Sequence, residues 1–434
     1  MMKTLKKTVL IVLALIVGLI VGTVIYLQVR NYDSKNQLVS KNSSAILQIS
    51  VDDIVFDVIK NNIIYPSTGL DKKSTRLSIL ENWKIGVDIP SKLFFFSLGN
   101  ELGKLYSYQK VSDECKLIHT IINKFDLDST SLSRDGDRWI IQGFGDKLVF
   151  IGNQDHVLIS LSTSGDNQVA NALGVWDNRN STFCKVSDLI ADRKGDITYT
   201  NLVDKDHYRL DFERGSIKGE AKVYSPDFRS SPNYTVRNMA SNAILNAYVN
   251  IDMASMASRY AVFFDKIPVV KDFLMKSYGN YADVEWKKGE VLQKDTIITY
   301  EYDDNFESIE KETIVEEAIP NLTFTLRGNN DNFTQLPDQF FYKLSKRIEG
   351  EYMVLSTDIK DVQALVLAST PNFLGLNYKY DESAIKHLAK YPKLALVKEV
   401  KLSGRIINNE YSQFDLDILF QKDNFHVLRQ LFRN

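Results

Sequence analysis

The segment from Asp126 to Asp137 (DLDSTSLSRDGD) carries carboxylates at a spacing that suggests calcium chemistry. Asp126 and Asp128 stand at the first and third positions of a calcium-binding loop, which require hard oxygen ligands. The pattern then fails, because glycine is missing from the sixth position and glutamate from the twelfth. Asp135-Gly136, between two apolar runs, is typical of a hairpin turn. We therefore predict a loop and a hairpin turn in this segment, without a metal ion.

Hydrolysis by an acid–base pair needs two carboxylates about 5–9 Å apart around the scissile bond. Asp52, Asp126 and Asp135 are examples of carboxylates from separate segments that a fold could combine in this way. Asp52 and Asp53 are adjacent, so their side chains diverge, and we interpret them as the start of a helix. The sequence therefore predicts no catalytic, cofactor-binding or metal-binding residue and no enzyme, with a hydrolase kept as the alternative function.

The sequence spacings that identify zinc proteases, phosphate-binding loops and nucleophile elbows are missing from the chain. The five histidines have no pair at metal-ligand spacing, and we predict that they lie at the surface or beside helices: His119, His156, His207, His387 and His426. Cys115 and Cys184 are the two cysteines, and whether they are paired stays open. We predict that Cys115 is a buried free thiol on the apolar face of a helix over Ser112–Phe125.

Three consecutive phenylalanines, Phe94 to Phe96, lie in a strand-like run. A carbohydrate-binding surface would need such rings exposed in a row. Consecutive strand residues point to alternate faces, so we predict that this strand is buried on both faces. The partners considered for the chain are therefore an envelope protein or a glycan, without a specific site for either.

The composition is that of a globular protein of two to three domains. The chain has 434 residues, of which 44% are hydrophobic and 25% charged, and a domain typically takes about 150 residues. Lys+Arg is 53 and Asp+Glu is 55, which leaves a net charge of -2. Without a positive field, nucleic acid is not expected as a partner.

The strongest pattern near the N-terminus is an uncharged run of nineteen residues, Val9 to Leu27. As a helix it would be about 28 Å long, close to the hydrocarbon thickness of a bilayer. Lys3, Lys6 and Lys7 precede the run and favour a cytoplasmic N-terminus. We therefore predict a single-pass transmembrane anchor within residues 1–30, with most of the chain in the periplasm or outside the cell.

Two further predictions depend on this anchor. Ala14, Gly18 and Gly22 recur every four residues, and such a stripe of small residues lets two membrane helices approach closely and form a homodimer. Residues 31–44 are polar and without apolar periodicity, which predicts a flexible tether between the anchor and the folded part.

The folded part is predicted to consist of two related halves, a first lobe over residues 45–228 and a second over 229–434. Ala45–Asp52 (AILQISVD) resembles Ala243–Asn250 (AILNAYVN), and two later pairs of segments follow at offsets of about 200 residues. The last pair is the alternating strands Ser216–Tyr224 and Ser412–Phe420. Strand patterns come in adjacent groups with helices between the groups, so the predicted class is α+β, with mainly antiparallel sheet and packed helices.

The second half contains an acidic stretch after an alternating strand. Leu292–Tyr302 alternates polar and apolar residues, which predicts a strand solvated on one face. Asp303–Glu317 is predicted to form an exposed loop and helix, with its acidity serving solvation.

The lysine-flanked anchor, the tether and the segments AILQISVDDIVFDVIKNN, WKIGVD, LFFFSL and DKLVFIGNQDHVLISLST together resemble uncharacterised exocytoplasmic families of low-GC Gram-negative bacteria. The resemblance implies a single-pass or lipid-anchored envelope protein with duplicated α+β halves, and it implies no functional residue. We therefore expect a binding or envelope-assembly module.

Overall fold

The computed structural model describes residues 25–65, 85–99, 103–163, 167–226, 233–252, 278–302, 308–328, 342–360, 364–388 and 391–432. The chain divides into two compact units, Met1–Phe212 and Glu213–Asn434, and each is described by itself. Their boundary lies sixteen residues before the boundary predicted from the sequence, at 228/229.

The first unit is built on one antiparallel sheet. Its strands follow the spatial order β11-β10-β2-β3-β4-β8-β7-β6-β5, and β1 pairs with β9 in a separate two-stranded ribbon. The strands are β1 (Leu38–Ser40), β2 (Ser43–Ser50), β3 (Lys92–Leu98), β4 (Lys104–Lys110), β5 (Leu132–Asp135), β6 (Arg138–Gly143), β7 (Leu148–Gly152), β8 (His156–Ser162), β9 (Phe183–Lys185), β10 (Ile197–Asn201) and β11 (His207–Phe212). The helices are α1 (residues 25–35), α2 (Val51–Ile64), α3 (Glu114–Lys124), α4 (Gln168–Asp177) and α5 (Arg179–Thr182).

The second unit is also built on one antiparallel sheet. Its strands follow the order β12-β22-β21-β20-β14-β15-β16-β18-β17, and β13 pairs with β19 in a separate ribbon. The strands are β12 (Ser216–Tyr224), β13 (Tyr234–Arg237), β14 (Leu245–Val249), β15 (Tyr278–Tyr302), β16 (Ser308–Gly328), β17 (Ser345–Glu349), β18 (Tyr352–Ser356), β19 (Leu367–Thr370), β20 (Leu374–Lys379), β21 (Val397–Ile406) and β22 (Tyr411–Phe420). Two short helices are α6 (Glu382–Ile385) and α7 (Val427–Leu431).

The two units share one strand order. The central strand, β2 or β14, lies between β3 and β10 in the first unit and between β15 and β20 in the second. The order then continues through β4, β8 and β7 in one unit and through β16, β18 and β17 in the other. A ribbon, β1–β9 or β13–β19, accompanies each sheet. This pairing agrees with the predicted equivalence of the two segments that begin at Ala45 and Ala243.

The core of the first unit lies on the sheet face beneath the β1–β9 ribbon. Phe94, Phe96, Tyr108 and Trp176 pack there together with Val39 of the ribbon. Phe95 points to the opposite face and is also buried, so the prediction that the phenylalanine strand is buried on both faces is confirmed.

The predicted α+β class with an N-terminal membrane helix is wrong. Among the residues that the structure describes, antiparallel sheet dominates, and 50% of them lie in strands. Part of the difference comes from Asp303–Glu317: residues 308–317 continue strand β16, where we predicted an exposed loop and helix. Strand β16 pairs with β15 in a hairpin, and the carboxylates of residues 308–317 face water there. The hairpin therefore solvates them as well as a helix would. The predicted strand Leu292–Tyr302 is confirmed as part of β15.

The predicted transmembrane anchor is not supported. Among the residues that the structure describes, no helix is both long and apolar enough to cross a membrane. Residues 9–24 of the predicted span, and with them Ala14, Gly18 and Gly22, lie outside the described residues. The described helix, α1, carries Arg30, whose guanidinium donates two hydrogen bonds to the Asp52 carboxylate at 2.8 and 2.9 Å. The predicted single-pass topology and membrane localisation depended on this anchor, and they are not supported either.

Residues 31–44, predicted as a flexible tether, have regular structure. They contain the end of α1, strand β1 and the start of β2. Ser34 is buried, and its hydroxyl lies 2.8 Å from that of Ser91. Polar residues without apolar periodicity are therefore ordered here, because hydrogen bonds join them to the rest of the first unit.

Of two local predictions about helices, one is wrong and one is confirmed. Cys115 is exposed and not buried, because α3 buries Leu117, Ile118 and Ile121 and so turns a different face toward the sheet. Asp52 and Asp53 do mark the start of a helix, since α2 begins at Val51 and both carboxylates lie in its first turn.

Candidate functional site

The segment Asp126–Asp137 forms the end of one loop and a hairpin turn. Asp126 follows α3 with a positive φ of 49°, and Gly136 has a φ of 60° between the paired residues Asp135 and Arg138 of β5 and β6. The predicted Asp-Gly hairpin turn is therefore confirmed.

The three carboxylates considered for hydrolysis lie in separate elements. Asp52 is held by Arg30, and the carboxylate of Asp135 lies 2.5 Å from the guanidinium of Arg138. Within the described ranges, no group of three or more His, Cys, Asp and Glu side chains has the geometry to hold a metal ion. Of the histidines, His426 is buried, and it lies beside a helix as predicted, at the N-cap of α7. The structure therefore does not assemble the sequence candidates into a site.

Asp196 is a carboxylate whose environment the sequence did not reveal. It is buried next to β11, and its carboxylate accepts a hydrogen bond from the backbone N–H of Phe212 at 2.6 Å. Burial raises the pKa of Asp196 to about 6, and the neighbouring Asp211 adds to the increase. The backbone N–H of Asp196 donates to the Asp211 carboxylate at 3.3 Å, so the two carboxylates are neighbours.

The largest feature that the sequence did not predict is a long hairpin in the second unit. β15 and β16 pair continuously from Glu290/Pro320 to Tyr302/Ser308. The neighbouring strands stop earlier, since β14 pairs with β15 no further than Trp286 and β18 pairs with β16 from Thr323 onward. We call residues 294–302 and 308–317 the arm. At about 3.4 Å per residue the arm is close to 30 Å long.

The base of the arm is firmly connected to the second unit. The side-chain amide of Gln293 donates to the backbone carbonyls of Lys343 and Thr357 at 2.7 and 2.9 Å, and it accepts from the N–H of Lys343 at 3.1 Å. Ile319 is buried beneath it. His387 Nε2 lies 3.0 Å from the Glu290 carboxylate, and hydrogen bonds from Lys386 and His387 lower the pKa of Glu290. These contacts fix the direction in which the hairpin leaves the sheet.

One face of the hairpin carries exposed apolar side chains. Leu292, Ile298 and Ile314 are 68%, 50% and 68% exposed. The register places them on the same face, because Ile314 is paired with Thr296, an even number of residues from both Leu292 and Ile298. The ion pair between Lys294 and Glu316, at 2.9 Å, lies on this face as well.

The arm is strongly acidic. Residues 294–317 contain nine carboxylates and two lysines, a net charge of -7, in a chain whose total is -2. In the first unit the equivalent strands, β3 and β4, have 7 residues each, compared with 25 and 21 in β15 and β16. The arm is thus an extension that the second unit has and the first lacks. The alternation of Leu292–Tyr302 was the one sequence signal for it.

Comparisons with protein-family models, with curated proteins and with solved structures find no match to this chain. The resemblance to exocytoplasmic families therefore stays a prediction, and the arm has to be interpreted from its own geometry.

Proposed function

We propose that this chain is a binding protein that assembles with another polypeptide through the arm. The partner segment is extended and basic, and it adds to an edge of the β15–β16 hairpin as a third strand. The observation that supports the proposal is the hairpin itself, which continues well past the last neighbouring strand of the sheet and exposes an apolar row.

The edges of the arm provide the binding groups. A two-stranded hairpin in water is only marginally stable by itself, and its outer edges present unpaired N–H and C=O groups. An added strand satisfies these groups, and its side chains cover Ile298 and Ile314. Main-chain hydrogen bonds then supply affinity, and the contacts with the exposed row supply specificity.

The negative charge of the arm favours a positively charged partner. Residues 294–317, which comprise the arm and the connection between its two strands, carry a net charge of -7. Two copies of this segment repel one another, which opposes edge-to-edge pairing between identical chains. A segment with lysines or arginines between its apolar residues is attracted instead, and its association slows as salt screens the charges. The hydrolase alternative has less support, since Asp52 and Asp135 are both held in ion pairs.

The test uses two labelled nine-residue peptides, one alternating valine with lysine and one alternating valine with glutamate. Fluorescence anisotropy should show binding of the basic peptide to the full chain and none of the acidic peptide. In a shortened variant, Asn-Gly replaces residues 294–316 and joins the paired neighbours Gln293 and Glu317. This variant should lose the basic peptide while keeping its circular dichroism spectrum.

A second variant tests the apolar contact of the arm separately from its charge. Ile298→Thr with Ile314→Thr keeps every charge of the arm, and it should weaken binding of the basic peptide about tenfold through the lost apolar contact. Equal binding to the intact and shortened chains would contradict the proposal. If the intact chain and the double threonine variant bound the basic peptide equally, the binding would be nonspecific charge attraction. That result would also contradict the proposal.

A further inference from the structure

A cavity of about 560 Å³ lies in the second unit, away from the arm. Its floor is one face of β15–β18, and it is closed by residues 238–241 after β13 and by residues 364–366 before β19. A volume of this size is within the range of small-molecule sites, about 300–1,000 Å³.

The floor of the cavity is polar. Glu285 of β15 is paired with Thr323 of β16, which is paired with Ser356 of β18. Directly paired residues point to the same face, so these three side chains form a row across the sheet. Lys287 lies two residues beyond Glu285 on the same strand, and Arg347 of β17 lies at the far side of the floor.

An ion network supports one end of the floor. Arg237 donates to Asp283 at 2.7 Å and to Glu285 at 2.5 Å, with all three side chains at most 10% exposed. Burial opposes the charge of Arg237, but the hydrogen bonds that it donates to the two carboxylates outweigh burial and raise the pKa of Arg237. Burial also raises the pKa of Asp283, against the effect of Arg237. The network holds the guanidinium rigidly against the cavity.

The hydrogen-bonding groups around the cavity are mainly donors. Arginine and lysine side chains have no acceptor, and Arg237, Lys287 and Arg347 all line the cavity. Both oxygens of Glu285 are already used, one by Arg237 and the other by the N–H of Ala240 at 2.7 Å. The carboxylate of Glu349, 2.5 Å from the Arg347 guanidinium, is used as well, since it accepts from the N–H of Leu365 at 2.9 Å. The carboxylates beside the cavity are therefore already engaged, and a ligand rich in acceptors fits the arginine and lysine donors best.

Thr323 supplies an independent sign of a missing ligand. Its side chain lines the cavity and the residue is 3% exposed, yet its hydroxyl has no hydrogen-bond partner among the described residues. A buried hydroxyl without a partner costs roughly 1–3 kcal/mol, so native structures seldom keep one unless something else binds it.

Part of the cavity lining is apolar. Val354 lies on the floor, and Met239, Leu365 and Val366 belong to the two bordering segments. A ligand that contacts both the donors and these apolar side chains must have a charged or polar end and a hydrocarbon part.

We propose that this cavity binds a small organic anion, with a carboxylate or phosphate head at Lys287, Arg347 and Thr323 and an apolar body against Val354 and Leu365. In the first unit the corresponding face is filled by Phe94, Tyr108 and the rest of the aromatic core. The site therefore belongs to the second unit alone.

Isothermal titration calorimetry at pH 7 with four probes tests the inference: octanoate, octyl phosphate, octylamine and octanol. The two anions should bind with one-to-one stoichiometry, at least tenfold more tightly than octylamine and octanol. The ratio between octanoate and octyl phosphate distinguishes a carboxylate site from a phosphate site. Thr323→Val keeps the shape of the side chain and removes the hydroxyl, and it should weaken both anions about tenfold, whereas Thr323→Ser should bind them nearly as the wild type does.

Lys287→Gln should also weaken the anions about tenfold and leave octanol unchanged. Lys288→Gln is the matched control, because Lys288 is exposed and lies 3.7 Å from Asp381, outside the set of lining residues. The inference is overturned if none of the probes binds, if octylamine or octanol binds as tightly as octanoate, or if Lys287→Gln and Thr323→Val both leave anion binding unchanged.

Discussion

The two units use the same strand order for different purposes. In the first, the sheet face beneath the ribbon carries Phe94, Phe96 and Tyr108 and forms a packed core. In the second, the corresponding face carries Asp283, Glu285 and Thr323, an ion network and a cavity. Backbone pairing does not depend on which side chains a face carries, so two sheets can have the same strand order while one carries apolar packing and the other polar groups.

The central hairpins show the same division. The β3–β4 hairpin ends with the sheet, whereas the β15–β16 hairpin continues into the arm. A hairpin can be lengthened at its tip without moving the strands at its base, because each added cross-strand pair depends on the pair before it. We conclude that the first unit is the more conventional scaffold and that the second carries both proposed binding surfaces.

The largest effect is expected from Arg237→Met in the second unit. It leaves Asp283 and Glu285 buried without a counterion and should cost about 3–5 kcal/mol of unfolding free energy at pH 7. Removing Arg237 also removes the interaction that lowers the pKa of Asp283, so that pKa would rise further, and the loss of stability should shrink as the pH falls. Urea unfolding at pH 7 and pH 4.5, followed by hydrogen exchange in second-unit peptides, measures both effects. Arg327→Met, whose ion pair with Glu351 is exposed, is the control and should cost less than 1 kcal/mol.

Phe96→Ala in the first unit should cost about 3–4 kcal/mol, because it empties part of a packed aromatic core. Unlike the loss of unfolding free energy in Arg237→Met, the loss in Phe96→Ala should be the same at pH 7 and pH 4.5, because this substitution leaves no titratable group without its partner. Phe144→Ala, at a side chain that is 60% exposed, should be nearly neutral. A strong pH dependence of the Phe96→Ala cost would break the contrast between an apolar first unit and an ionic second unit.

Asp196→Asn should stabilise the first unit at pH 7 by up to about 3 kcal/mol. The pKa of Asp196 is raised to about 6 from 3.8, so the folded state binds its proton more tightly than the unfolded state does. Its contribution to stability is therefore fully present below about pH 4 and is lost as the pH rises through about 6. The wild type should lose stability over this window relative to Asp196→Asn, and parallel curves in urea titrations from pH 4 to 7 would show that the carboxylate is not perturbed.

The smallest effects should mark where the sheet of the second unit ends and the arm begins. Ile314→Thr, on the arm, should change the unfolding free energy by less than about 0.5 kcal/mol. Ile319→Thr, at the buried base, should cost about 2 kcal/mol, because it removes apolar contact and buries a hydroxyl. Thermal unfolding of the two variants compares them directly, and equal costs would place the boundary of the arm elsewhere.

Local patterns in the sequence were sufficient for several parts of the fold. Alternation and similar segments at offsets near 200 residues predicted strands beginning near Ala45 and Ala243 in equivalent places, and Asp135-Gly136 predicted a hairpin turn. Three consecutive phenylalanines predicted a strand buried on both faces. Each of these features depends on neighbours along the chain or on the two-residue period of a strand, so a sequence records it directly.

Other features depended on contacts between residues distant in sequence. The partners in the Arg237 network are separated by 46 and 48 positions, and Arg30 and Asp52 by 22. An acidic stretch is equally compatible with a loop, a helix or a strand until a pairing partner is present, which is why residues 308–317 were misjudged. By itself the sequence determined several of the strands, among them those that begin near Ala45 and Ala243, and the hairpin turn at Gly136. Only the tertiary structure decided which hairpin extends beyond the neighbouring strands of its sheet and which sheet face is polar around a cavity. Both features depend on what lies opposite each residue in space.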